Sequence, residues 1–194
     1  MKMFEDMTWL NEPASWKDDG DSLTLETADG TDFWRKTHYG FIRDTGHFLS
    51  AEVAGDFTAT VTLSGDFTAL YDQAGLMLRI DERAWLKAGV EYSDGTLQLS
   101  TVITNGTSDW SLCPLGTAQD EITLRLSRQG TAVHVQYLEP GATAGQWKSL
   151  RLGYLPMESL CQVGVMACSP QRGGLTVRFT GFSIAPSDGI KLHP

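Results

Sequence analysis

Four side chains within a short stretch, Trp34, Arg35, His38 and Tyr39, combine ring faces with charged hydrogen-bond donors. An aromatic face stacks on the C–H face of a sugar, while guanidinium and imidazole groups bind hydroxyl, carboxylate or phosphate oxygens. The same residues equally suit a loop tied down by buried rings and one ion pair, so both readings stay open. A second group, Gln73, Arg79, Trp85, Lys87 and Glu91, falls in phase at alternate positions of two strand-like runs. Trp110, in Ser108-Asp109-Trp110-Ser111, is placed either to stack on a ligand ring or to plug the end of the fold.

Hydrolytic chemistry has weaker support. Glu91 and Asp94 are three apart and point to opposite faces of a continuous strand. Asp81 and Glu91 share a face but would lie roughly 20 Å apart along a tight hairpin. Glycosidase carboxyl pairs stand about 5.5 Å or about 6.5–9.5 Å apart. There is no G-x-S-x-G elbow and no glycine-rich phosphate loop. His38, Asp44 and His47 match no zinc-ligand spacing, so neither metal nor cofactor is expected.

The elements that must position these groups are strands. Apolar–polar alternation dominates, as in Phe57-Thr58-Ala59-Thr60-Val61-Thr62-Leu63, and turn dipeptides such as Asp94-Gly95 and Asn105-Gly106 recur at short intervals. Asp94-Gly95 suits a two-residue hairpin turn, which pairs Ser93 with Thr96. That register sends Leu86, Ala88, Val90, Leu97 and Leu99 to the core. Trp85, Lys87, Glu91, Gln98 and Ser100 go to the other face, and a one-residue slip would mix the two sets. The preceding strand sends Leu76, Leu78 and Ile80 inward and Gly75, Met77, Arg79 and Asp81 outward. Gly75 and Gly89 mark a close approach by a ligand or by another backbone. The outward face is expected either to bind a ligand or to be covered by a neighbouring loop. A tight turn at Asp81–Ala84 would set Arg79 opposite Lys87, and like charges there call for an anion between them. Affinity for a carboxylate or phosphate is expected on that basis.

Composition narrows the class. With 41% hydrophobic residues in 194, there is enough apolar material for the core of a single domain, expected to span residues 1–194. The net charge of −9 opposes nucleic-acid binding, and no apolar run is long enough for a membrane-spanning helix. The stretch Met1 to Trp9 carries Glu5 and Asp6 and lacks the pattern of a secretory leader. Cys113, Cys161 and Cys168 are odd in number and read as free thiols. A cytoplasmic location is expected from these features.

Four segments in order, Thr31–Phe41, Leu70–Met77, Trp85–Glu91 and Ser108–Ser111, resemble a widespread bacterial and fungal family of unknown function. That family includes a fungal protein named for regulation of enolase. It is similar in fold to concanavalin A-like lectins and glucanases. The resemblance implies an all-β jelly-roll sandwich of two antiparallel sheets with a concave face, and it implies no established activity. The leading expectation is a binder of a carbohydrate or small metabolite, an anionic one included, using Trp34, Trp85 and Trp110 for stacking. Arg35, Arg79, Lys87 and Glu91 would supply charge and hydrogen bonds, with His38, Tyr39 and Gln73 assisting. Two alternatives stand beside it: an enzyme acting on a sugar or sugar acid, and an interaction module regulating a metabolic enzyme. The oligomeric state is not legible in the sequence.

Overall fold

The computed structural model describes residues 3–115, 121–139, 141–143, 145–156, 160–187 and 189–192. Every element assigned among them is a strand, numbered below in chain order. One seven-stranded sheet runs β1 (Thr8–Leu10), β6 (His47–Ala54), β15 (Leu160–Cys168), β8 (Gln73–Asp81), β9 (Ala84–Ser93), β10 (Thr96–Asn105) and β11 (Ser108–Pro114). The second runs β14 (Lys148–Tyr154), β13 (Ala132–Leu138), β12 (Ile122–Gln129), β7 (Phe57–Gly65), β16 (Thr176–Pro186), β3 (Ser22–Glu26) and β2 (Ser15–Asp18). All pairings within both sheets are antiparallel, which gives the expected jelly-roll sandwich.

The main core lies between the sheets. Phe57, Ala59, Val61 and Leu63 of β7, the apolar half of an alternating strand, join Leu76, Leu78, Leu86, Val90 and Leu99 from the facing sheet. The hairpin β9–β10 has the register the sequence predicts, from Ser93 opposite Thr96 to Trp85 opposite Thr104. The turn itself places Asp94 at φ 52° and Gly95 at φ 78°, which is why that dipeptide occupies it.

The neighbouring hairpin β8–β9 departs from expectation. A register shift between Arg79 and Asp81 sets Arg79 opposite Trp85 and Lys87 opposite Met77. The two cations are therefore not opposed, and the like-charge pair that suggested anion affinity does not exist. Gly75 and Gly89 do face each other in register. A Cβ on Gly89 would fall 1.9 Å from the carbonyl oxygen of Ala74, and one on Gly75 would fall 2.0 Å from that of Ala88. Of the two reasons the sequence allows for these glycines, close approach of another backbone is the operative one.

A two-stranded hairpin, β4 (Phe33–Arg35) with β5 (Ile42–Asp44), forms a third, separate sheet. It crosses the outer face of the first sheet as a strap. Phe33 and Trp34 bury a second apolar cluster there with Phe48, Met77, Trp85, Val102, Met166 and Cys168.

Candidate functional site

The strap divides the outer face of the first sheet into a covered end and an open one. At the covered end, Arg79 of β8 donates two hydrogen bonds to Asp44 of β5, at 2.8 and 2.9 Å. Trp85 is 1% exposed and packs its ring against Phe33, with centroids 6.2 Å apart. Arg35 bonds Ser108 Oγ through its backbone N–H at 2.9 Å and the Gly106 carbonyl through Nε at 3.1 Å. These three residues anchor the strap and do not line the open end. The expectation that they border a solvent-accessible hollow is corrected, because the apolar side of the strap needs the same surface.

Lys87 stands at the boundary. Its Nζ donates to the Phe33 carbonyl at 2.7 Å and to Asp32 Oδ1 at 3.2 Å. Its charge is thus already matched by a protein carboxylate. Arg79 is matched likewise by Asp44.

Beside Lys87 a cavity of about 150 Å³ opens. Trp34, Tyr39, Phe41, Tyr71 and Trp110 supply aromatic lining, and Asp32, Gln73, Lys87 and Glu91 supply polar groups. Val102, Pro170 and Gln171 complete it. Six of the ten residues singled out from the sequence thus meet here: Trp34, Tyr39, Gln73, Lys87, Glu91 and Trp110. His38 does not; it is exposed and meets Tyr39 edge-on at 4.8 Å.

Strand geometry explains the polar floor. Glu91 of β9 lies between Gln73 of β8 and Gln98 of β10, each directly opposite it. Ser100 Oγ donates to Glu91 Oε2 at 2.9 Å, and the Trp110 indole N–H donates to Ser100 Oγ at 3.3 Å. Trp110 reaches this position because β11 pairs it with Val102, on the same outer face. Glu91 is 3% exposed, and no lysine, arginine or histidine nitrogen among the described residues lies within 4 Å of it. Burial pushes its carboxyl above the usual carboxylate range, beyond what Lys87 and Ser100 offset.

The aromatic walls form a circuit. Trp34 meets Trp110 at 6.5 Å and 85°, and Trp110 meets Tyr71 at 6.3 Å and 79°. Tyr71 and Tyr39 share a hydroxyl–hydroxyl hydrogen bond of 3.0 Å, and Tyr39 returns to Trp34 at 5.8 Å and 71°. The Tyr71 phenol is pushed up to about 12, first by that bond, then by burial, by its electrostatic interaction with Tyr39 and by the carboxylates of Glu91 and Asp94. Backbone geometry holds Tyr39 in place. Two successive i to i−2 bonds, Thr37 N–H to Arg35 O and Tyr39 N–H to Thr37 O, centre on Lys36 and His38 at φ 64° and 61°. Non-glycine residues in that region carry strain, and the Trp34 indole bond to the Thr37 carbonyl at 2.9 Å braces the tip.

The opposite rim is fixed by Asp72, a fully buried carboxylate. It accepts from Ser169 Oγ, from Arg172 at 2.7 and 2.9 Å, and from the backbone N–H groups of Thr68 and Ala69 at 3.0 Å. Pro170 and Gln171 are held over the cavity between two of those donors. Asp32, Phe41, Tyr71, Pro170 and Gln171 line the cavity without having been singled out as site residues. Asp32 and Phe41 lie inside the aromatic-rich stretch Thr31–Phe41, and Tyr71 immediately precedes the strand of Gln73, so proximity to the chosen residues was the available signal. Nothing local distinguishes Pro170 or Gln171. Among the described residues no group of three or more His, Cys, Asp or Glu side chains could hold a metal ion.

Comparison with known proteins places this geometry in a family context. The model of a family described as "Protein of unknown function (DUF1349)" matches residues 9–187. "Regulation of enolase protein 1" of Saccharomyces cerevisiae is 46% identical over 186 residues, covering 96% of this chain and 92% of its own. A crystal structure of a functionally unknown protein from Saccharomyces cerevisiae superposes with a TM-score of 0.91 at 45% identity, covering 96% of this chain and 99% of that one. Two more distant structures share the fold alone. A GH43 protein, BlXynB from Bacillus licheniformis, has a TM-score of 0.67 at 16% identity, covering 96% of this chain and 39% of that one. A legume lectin-like domain from Entamoeba histolytica has a TM-score of 0.63 at 9% identity, covering 95% and 92%.

Proposed function

The chain belongs to the DUF1349 family of proteins of unknown function, and on that premise we propose that it binds a small sugar-like metabolite in the cavity beside the β4–β5 strap. The observation that carries this reading is the pairing of aromatic walls with a hydrogen-bonding floor in one enclosure. A pyranose ring has apolar C–H faces and hydroxyl edges, and both halves of that chemistry have counterparts here. Trp34 and Trp110 serve the faces, while Gln73 and Glu91 serve the hydroxyls. The lectin-like fold is consistent with this reading and does not by itself supply it.

The test is a thermal-shift and calorimetric screen of monosaccharides, sugar acids and amino sugars, with Trp110→Ala alongside. A ligand should raise the melting temperature of the native protein, and Trp110→Ala should lose that response while still unfolding cooperatively. Silence across the screen at millimolar ligand, or full retention of binding by Trp110→Ala, would count against it.

One observation favours a second reading, an enzyme acting on a sugar or sugar acid. A buried carboxyl with raised proton affinity, facing an open cavity, is a general acid in waiting. Glu91→Gln distinguishes the two readings: an enzyme loses turnover but keeps ligand affinity.

A further inference from the structure

The floor of the cavity is unevenly supplied with charge and with hydrogen-bonding groups. Its donors are already engaged within the protein: Lys87 by Asp32 and Phe33 O, Gln73 Nε2 by the Tyr71 carbonyl, and Ser100 by Glu91. The acceptors are less well served. Gln98, directly opposite Glu91 but outside the cavity lining, has its Oε1 buried with no hydrogen-bond partner among the described residues. Glu91 accepts from Ser100 yet has no ion-pair partner within 4 Å among them. With Asp32 and Lys87 cancelling, an ionised Glu91 leaves the floor one negative charge in excess.

Above that charge stands the circuit Trp34, Trp110, Tyr71 and Tyr39, with three successive contacts near the perpendicular and the fourth closed by the two hydroxyls. Beside the ring faces that Trp34 and Trp110 offer a sugar, rings turned against one another around an enclosure surround a compact group, and their π-electron faces attract a cation. Aromatic walls and a buried carboxyl favour the same sign of charge.

We propose that the ligand of this cavity carries a protonated amine, seated among Trp34, Tyr39, Tyr71 and Trp110 with its ammonium group against Glu91. This inference rests on the small-ligand reading above and narrows it from sugar-like metabolites to amine-bearing ones. The carboxyl receives an ion-pair partner that the described residues do not supply, and the ammonium N–H groups meet acceptors.

Two matched pairs test it by tryptophan fluorescence titration of the native protein: glucosamine against glucose, and cyclohexylammonium against cyclohexanol. Each pair keeps the ring and changes the charge. Saturable quenching is expected from both amines, with each neutral partner at least about tenfold weaker. Glu91→Gln should remove the preference for the amine. Because that variant alters the floor, calorimetry on the unmodified protein supplies an independent reading. Amine binding in the pH range where Glu91 itself titrates, found first by titrating the unliganded protein, should release a proton from Glu91, seen as a heat that depends on the buffer's ionisation enthalpy. Lys87, Asp32, Tyr71 and Cys168 are the other ionisable groups that interact with that carboxyl.

Glucose binding as tightly as glucosamine, and cyclohexanol as cyclohexylammonium, overturns the amine inference and leaves the sugar reading intact. Amine binding with no preference lost in Glu91→Gln and no proton released overturns the role of Glu91. If neither amine saturates the signal, the inference fails, and the wider screen separately decides whether the cavity takes another ligand.

Discussion

Arg79 of β8 and Asp44 of β5 join through two hydrogen bonds of 2.8 and 2.9 Å, in the bidentate geometry of a guanidinium on a carboxylate. The pair pins the strap to the sheet at the end away from the cavity, with the Arg79 side chain 8% exposed and that of Asp44 30%. Arg79→Met should cost about 2–4 kcal/mol in urea unfolding, since it strands a partly buried carboxylate. Arg79→Lys should recover only part of that, because one ammonium cannot reproduce the fork. In a double-mutant cycle with Asp44→Asn the two losses should be markedly sub-additive. Strict additivity would mean that the pair contributes nothing beyond its separate residues.

Gly89 should tolerate no side chain. A Cβ there would meet backbone on β8, 1.9 Å from Ala74 O and 2.8 Å from Gly75 Cα, so strands β8 and β9 would have to part. Gly89→Ala is expected to destabilise by about 3 kcal/mol or more. Gly95→Ala is the control: its φ of 78° strains an alanine, but nothing lies within 4 Å, so the cost should be about 1 kcal/mol. Comparable melting temperatures for the two variants would contradict the close approach.

Thiol reactivity should separate the three cysteines. Cys161 and Cys168 are 3% and 0% exposed, and burial raises both thiol pKa values, so the thiolate is scarce as well as shielded. Cys113 is only partly covered. A thiol reagent at pH 8 should modify one site in the native protein, with the other two following on unfolding. Mass mapping that finds Cys168 modified in the folded state would refute the buried cluster beneath the strap.

Stability should depend on pH through Glu91. Its native carboxyl titrates above the ordinary value of 4.5, so the folded state holds the proton more tightly than the unfolded chain does. The resulting stability is complete below pH 4.5 and is lost as pH rises through the raised native value. Glu91→Gln cannot ionise and escapes the loss. Its melting temperature should exceed that of the parent by a few degrees at pH 8, and the gap should close toward pH 4.5. A gap independent of pH would show that Glu91 is not the titrating group.

Much of the architecture is legible because its cause is local. The Asp94-Gly95 turn and the alternation on either side of it set the β9–β10 register, and ten residue pairs follow. One further local event, the register shift between Arg79 and Asp81, escaped detection because several side chains fit either phase on the outer face. Arg79 stands opposite Trp85 and not Lys87, and with that goes the argument for an anionic ligand. Of the two readings of the outer face, the covering loop describes the Arg79 end, and the ligand-site reading is confined to the cavity at the other end. No periodicity could have said where the strap stops.

Alternation and turn chemistry determined the all-β class, the inward and outward sets of β8 to β10, and the shared outer face of Gln73, Lys87 and Glu91, since strand period and hairpin register act over a few residues. Tertiary structure alone decided that Arg79, Trp85 and Arg35 serve the strap, that Asp32 neutralises Lys87, and that Glu91, beneath four aromatic rings, has no counter-ion among the described residues. Those outcomes depend on contacts such as Lys87 to Asp32 or Arg35 to Gly106, between segments 55 and 71 residues apart. Loop closure over such spans is governed by the packing of the whole domain, and no short pattern encodes it.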